Sequence, residues 1–447
     1  MTTGSPMRLI FRFAVPLLLG NILQQAYSLI DAAIVGQCIG MNALGAVGAS
    51  SSVIFLIFGF CNGCTAGFGI PVAQKFGAKD YHAMRQRVAN SYRLSIHLSL
   101  VLALVTSLMC HSIMEWMQTP DELLHDAWLY LLILFIGIPF TMFYNLLASI
   151  LRAVGDSKTP FFFLVVASAL NVVLDLLFIL VLHWGVAGAA IATVVAQGLS
   201  ALACWLFMRR HFPILQLKDN EGRYDKRSIL ELLNMGVPMG LQFSITAIGS
   251  IMLQSANNAL GTACATAFTA GMRLKMFFIC PLENLGVALA TFCGQNLGAK
   301  EYRRIWTGIR DGMVMVSIYT IATLLLLQGF ARDLSLLFIH ATEKDILDMS
   351  AQFLHISSPF YFMLGLLCVL RYSLQGIGHT KVSMMSGVFE MVTRTAVSLA
   401  VVPALGFTGV CIGDPAAWVA ADVFLIPAFW IAYRRLTRTP QIRPTDA

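Results

Sequence analysis
What most constrains this chain is a series of twelve apolar stretches, each long enough to cross a bilayer as a helix. They run over residues 9–35, 43–70, 88–109, 127–151, 160–182, 186–208, 229–256, 262–293, 308–329, 350–374, 382–403 and 409–433. A helix needs roughly 20 apolar residues to span the hydrocarbon core. Barrel strands would be about 10 residues of alternating polarity, and these stretches are too long and too continuous for that. Composition agrees. Hydrophobic residues are 57% of the chain, charged residues 12%, and mean hydropathy is +0.75. Half the ordinary charge cannot cover a soluble globule, and so much apolar surface excludes disorder. The expectation is an all-α integral membrane protein.

Charge between the spans sets the orientation. Of 30 Lys and Arg, 25 fall on one side, in the segments holding Arg8 and Arg12, Lys75 to Arg93, Arg152 and Lys158, Arg209 to Arg227, Lys300 to Arg310, Arg371 and Lys381, and Arg434 to Arg443. The other side has Arg332 and Lys344 and eight acids, among them Glu115, Asp126, Asp333 and Asp348. Both termini are therefore expected in the cytoplasm and the protein in the plasma membrane. The net charge of +7 is this bias, with some attraction to anionic lipid, and no argument for nucleic acid. The first apolar run is longer than a signal-peptide core and lacks a clear cleavage site, so it reads as an uncleaved first helix. The ten cysteines lie in or beside spans, and Cys61-x-x-Cys64 reads as small-residue packing.

The chain repeats itself. Gln74-Lys-Phe-Gly-Ala-Lys-Asp-Tyr81 follows the second span, and Gln295-Asn-Leu-Gly-Ala-Lys-Glu-Tyr302 follows the eighth, 221 residues later. Pro16 and Pro238, Pro139 and Pro359, Gly155 and Gly378, and Gly185 and Gly406 keep nearly the same offset. Each half has six spans, so the halves are parallel repeats related by pseudo-two-fold symmetry about the membrane normal, an arrangement suited to alternating access. The expected organisation is an N-terminal lobe at 1–208, a charged linker at 209–228, a C-terminal lobe at 229–434 and a tail at 435–447.

Polar residues in spans are expensive, with a central charge costing about 3 kcal/mol on insertion scales. The first span carries Asn21, Gln24, Gln25, Ser28 and Asp31, mostly on one helical face. The fifth carries Asn171 and Asp175, one turn apart. Asp31 lies about one turn and Asp175 about two turns from the outer end, so the two carboxylates are at similar depth. Burial and a like-charged neighbour both favour the protonated form of a carboxyl, which suits a proton carrier; the same oxygens also suit Na⁺. A hydrogen bond that only holds the lobe together is the alternative. The seventh span has a polar stripe without a carboxylate, including Gln242 and Thr246. With Met276 and Glu283 of the eighth span and the stripe of the first, it is expected to line a substrate cavity. Glu390 and Arg394 are spaced for an ion pair within one helix. Arg273 and Lys275 of the eighth span are expected to face lipid phosphate, substrate anions or an acid in the other lobe, and Asp414 and Asp422 of the last span have no evident partner.

These features together resemble the multidrug and toxic compound extrusion (MATE) transporters. The resemblance rests on Phe13-Ala-Val-Pro16-Leu-Leu-Leu-Gly20, on Gln24-Gln25 leading to Asp31, on the repeated Gln-x-x-Gly-Ala-Lys, on Leu151 to Pro160 and on Asn171-x-x-x-Asp175. It covers about residues 5 to 435. It implies export of cationic, amphipathic drugs or metabolites by a monomer, driven by inward H⁺ or Na⁺, with no cofactor. It also implies that Asp31, Asn171 and Asp175 form the coupling site. The family's sodium-coupled branch has a Glu in the seventh helix and an Asp in the tenth, and this chain has neither. A flippase for lipid-linked precursors, from the wider superfamily, is the competing expectation; it favours a basic cleft. No H-E-x-x-H, G-x-S-x-G, P-loop or intramembrane His cluster is present, so neither an enzyme nor an ATP-driven pump is expected.

Overall fold
The computed structural model describes residues 1–117, 119–218 and 221–438, and among these there is no strand. Among the described residues eleven helices are long and apolar enough to cross a membrane, and a bent pair counted as one span makes twelve. In the first half they are α1 (Pro6–Cys38), α2 (Met41–Gly77), α3 (Tyr81–Trp116), α4 (Asp121–Ile136 with Ile138–Ala153), α5 (Lys158–Val181) and α6 (Gly185–His211). In the second they are α7 (Lys226–Asn258), α8 (Thr262–Gly298), α9 (Tyr302–Ser335), α10 (Lys344–Gly376), α11 (Thr380–Leu405) and α12 (Phe407–Arg438). Large apolar side chains such as Leu108, Leu325 and Val423 are mostly exposed. That is the surface of a protein solvated by lipid rather than water.

The interruptions fall on the repeat. α4 bends by 49° at Gly137, just before Pro139. A proline has no N–H to donate and its ring crowds the preceding turn. α10 is broken at the matching Pro359 by a tight turn over Ser358–Phe360. α5 ends in a π-helical turn, Leu177–Val181, and α11 holds the matching one, Val397–Val401, just before its last turn Val402–Leu405. The repeated Gln-x-x-Gly-Ala-Lys element is a helix stop: Lys79 and Lys300 take φ of 58° and 59°, and Asp80 and Glu301 donate back to Lys75 and Asn296. Gly155 and Gly378 end the fourth and tenth spans at φ of 94° and 92°. A side chain there strains the backbone, so Gly155→Ala or Gly378→Ala is expected to cost about 1–2 kcal/mol, read as a lower thermal midpoint in detergent.

The chain divides into two compact units, Arg12–Ala247 and Met1–Phe11 with the chain from Ile248 on. The division falls inside α7. In the first unit, α7 crosses α2 at glycines on both helices. A Cβ on Gly67 would stand 2.5 Å from Gly236 Cα, and one on Gly63 would stand 2.7 Å from Gly240 Cα. Such close backbone approach is the packing that small-x-x-x-small spacing permits. Cys61 and Cys64 are buried and unbonded, and Cys64 Sγ lies over Gly240.

The segment before α7 is also anchored in this unit. Glu221 accepts from Arg85 Nε at 2.6 Å and Nη2 at 2.7 Å, and Arg87 holds Glu231 at 2.9 Å. Arg85 keeps the Glu221 carboxyl down at about 2. A depressed carboxyl stabilises at neutral pH, and this contribution is lost only as pH falls from the ordinary carboxyl range toward 2. In the second unit, Arg304 binds the carbonyls of Met1 and Gly4.

Candidate functional site
The site in the first unit starts from helix period. Asn171 and Asp175 share one face of α5, and that face is buried: Asn171 is 3% exposed and Asp175 fully enclosed. Thr193 of α6 lies 3.2 Å from the Asn171 amide and donates to Ala189 O. α1 brings Asp31, whose carboxyl is within hydrogen-bonding reach of Asp175. Tyr27, one turn earlier, lies beside Thr193, and Tyr130 of α4 lies alongside the two carboxyls. One buried oxygen of each carboxyl, Asp31 Oδ1 and Asp175 Oδ1, has no hydrogen-bond partner. Among the described residues no Lys, Arg or His comes within ion-pairing distance of either carboxyl. Two carboxyl oxygens approach one another closely only with a proton or a cation between them.

The Asn171 amide is satisfied at both ends in one orientation. Its Nδ2 donates to Asp175 Oδ2 at 3.0 Å, and its oxygen accepts from Thr193 N and Oγ1 at 3.2 Å. That arrangement suits an ionised Asp175. Among the remaining polar positions, Gln24, Gln25 and Ser28 are exposed on α1, Asn21 is half-buried, and Ser28 donates to Gln24 O. Gln242 and Thr246 lie in the part of α7 that belongs to this unit. Met276 and Glu283 lie exposed on α8, in the other unit.

The second unit holds a continuous chain of buried charges. Lys275 of α8 bonds Asp414 of α12, Arg394 of α11 donates to Asp414 at 2.8 Å and to Glu390 at 3.2 Å, and Arg371 of α10 bonds Glu390. Arg371 Nε also donates to Ser386 at 2.9 Å. Lys275 sits 5.7 Å from the ring centres of Phe353 and Trp418. Three readings change here, and the first is that the acid bonded to Lys275 lies in its own half rather than in the other lobe. Arg371, counted with the basic loops because it is near a span end, is 8% exposed and part of this interior chain. Asp414 has partners after all, one of them 139 residues away in sequence. Its place was readable from the repeat: Arg394 and Asp414 occupy the positions matching Asn171 and Thr193. Among the described residues no cluster of three or more His, Cys, Asp or Glu is arranged to hold a metal.

Twelve lipid-facing spans in two related halves, with titratable groups buried inside them, define a polytopic membrane transporter. The MatE family model matches residues 16–177 and again 238–399, once in each half. The chain belongs to the MATE family and is a transporter, not an enzyme. It is 29% identical over 429 residues to the probable multidrug resistance protein YoeA of Bacillus subtilis, covering 94% of this chain and 92% of that one. It is 24% identical to the probable multidrug resistance protein NorM of Thermotoga maritima, over 83% and 80% of the two chains. A multidrug resistance MATE family transporter of the MOP superfamily, solved in an outward-facing conformation, superimposes with a TM-score of 0.90 at 24% identity, covering 98% of each chain.

Proposed function
We propose that this protein is a secondary active multidrug exporter that expels cationic amphipathic compounds in exchange for H⁺ by alternating access. Asp31, Asn171 and Asp175 are its coupling site. It acts as a monomer in the plasma membrane, with both termini in the cytoplasm. The observation that carries this reading is the contact between the half-buried Asp31 and the enclosed Asp175, with no basic partner among the described residues, beside the Asn171 amide that donates to Asp175. Protonation from outside would remove the negative charge that the Asn171 amide bonds and weaken the unit's hold on a cationic substrate. Release of the proton inward would restore it. The multidrug assignments of the relatives support the substrate class. A lipid-linked flippase would call for free basic groups, whereas Lys275, Arg371 and Arg394 are all bonded to acids.

The test is dye export from vesicles carrying the purified chain, under pH and Na⁺ gradients imposed separately. An inward pH gradient is expected to drive export and a Na⁺ gradient at equal pH is not. Export driven by Na⁺ alone would replace the proton with a sodium ion at the same carboxyls. Movement of lipid-linked sugar without dye export would favour the flippase.

A further inference from the structure
Asp422 of α12 stands apart from the charge chain of the second unit. It is 3% exposed, and both of its carboxyl oxygens are buried without a hydrogen-bond partner. The groups facing it are Arg371 and Cys368 of α10. Arg371 is already committed to Glu390 and Ser386 and makes no ion pair with Asp422. Beyond Arg371 the chain continues through Glu390 and Arg394 of α11 to Asp414 of α12 and Lys275 of α8, and Glu283 of α8 faces Arg371 and Lys275. An ionised carboxylate buried with no donor carries a desolvation cost far above that of the neutral acid. A metal cation needs several converging oxygens, and it would have to sit beside a guanidinium. A proton needs only the carboxyl itself.

We propose that Asp422 is a second proton-binding site, in a different unit from the Asp31–Asp175 pair, and that it is occupied at neutral pH. Its proton sets the charge of the buried cluster. The bonded chain alone holds three cations (Lys275, Arg371, Arg394) and two anions (Glu390, Asp414), and Glu283 faces it from α8. Loss of the Asp422 proton lowers the charge of this cluster by one, and so makes it less repulsive to a cationic substrate. The fold itself does not ask for a carboxyl there. At the repeat offset of 221, the matching residue of α6 is Ala201, equally buried. A buried polar group without partners is uncommon in a native protein, and a titrating role accounts for this one.

The proposal extends the exporter reading but does not need it, because its test reads a proton and not transport. Infrared spectra of the full chain in lipid would be taken at neutral and alkaline pH, in an Asp31→Asn, Asp175→Asn background that silences the first site. At neutral pH, a carboxylic acid C=O band equivalent to one group is expected. Asp422→Asn should remove it with the thermal midpoint unchanged, and Asp422→Glu should displace it. A spectrum unaffected by either substitution overturns the proposal. Failure of Asp422→Asn to fold while Asp422→Glu folds also overturns it, since that would mark Asp422 as an ionised counter-charge.

Discussion
Asp31→Asn and Asp175→Asn are each expected to abolish proton-driven export, lowering its rate at least about tenfold, or about 1.4 kcal/mol on the coupled step. Asparagine keeps the size and most of the hydrogen bonding of the acid but cannot exchange a proton. The contact between the two carboxyls would become an amide–carboxyl bond that is satisfied at every pH. Asp175→Asn has the larger expected effect, because Asp175 is fully enclosed and touches both Asp31 and Asn171. The reading is the difference in dye efflux with and without an inward pH gradient. Residual efflux in the variants should be the same under both conditions. If both variants export as the wild type does, the pair is a structural hydrogen bond and the coupling ion is carried elsewhere.

Local pattern was enough for the spans. Each apolar run became a helix, and the bend in α4 and the break in α10 fall at prolines visible in the sequence. The repeat reappears in the backbone as matched left-handed residues, Lys79 with Lys300 and Gly155 with Gly378. Asp31, Asn171 and Asp175 could be singled out because spacing of four and similar depth are local properties. Contacts between distant helices had no such signal. Arg371 was near enough to a span end to pass for a loop charge, and only the fold shows that Ser386 and Glu390 surround it. Gly63-x-x-x-Gly67 and Gly236-x-x-x-Gly240 were both present in the chain, yet spacing alone does not say that they face one another. Nor does it show that Glu221 is taken by Arg85, 136 residues earlier.

Asp414→Asn is expected to be the most destabilising single change in the second unit, by about 3–5 kcal/mol. Asp414 is held between Lys275 and Arg394, and all three are at most 6% exposed along their side chains. Removing the carboxylate leaves Lys275 and Arg394 with no carboxylate bonded to both, and the one still bonded to Arg394, Glu390, is already shared with Arg371. The exposed pair Arg332–Asp348 makes the contrast: at 3.0 Å its geometry is as good, but its side chains are 54% and 62% exposed. Asp348→Asn should therefore cost only about 0.2–1 kcal/mol. Thermal midpoints of both variants in one detergent separate the two cases. Adding Lys275→Met to Asp414→Asn should recover part of the loss, because the uncompensated charge rather than the lost attraction dominates the cost. If Asp414→Asn proved as mild as Asp348→Asn, the chain of charges would not be a scaffold. Its cations would then be available to a ligand, and the case against a flippase would lose its main support. A large loss with partial rescue instead fixes the second unit as a braced frame, in which Asp422 is the carboxyl left free to change its charge.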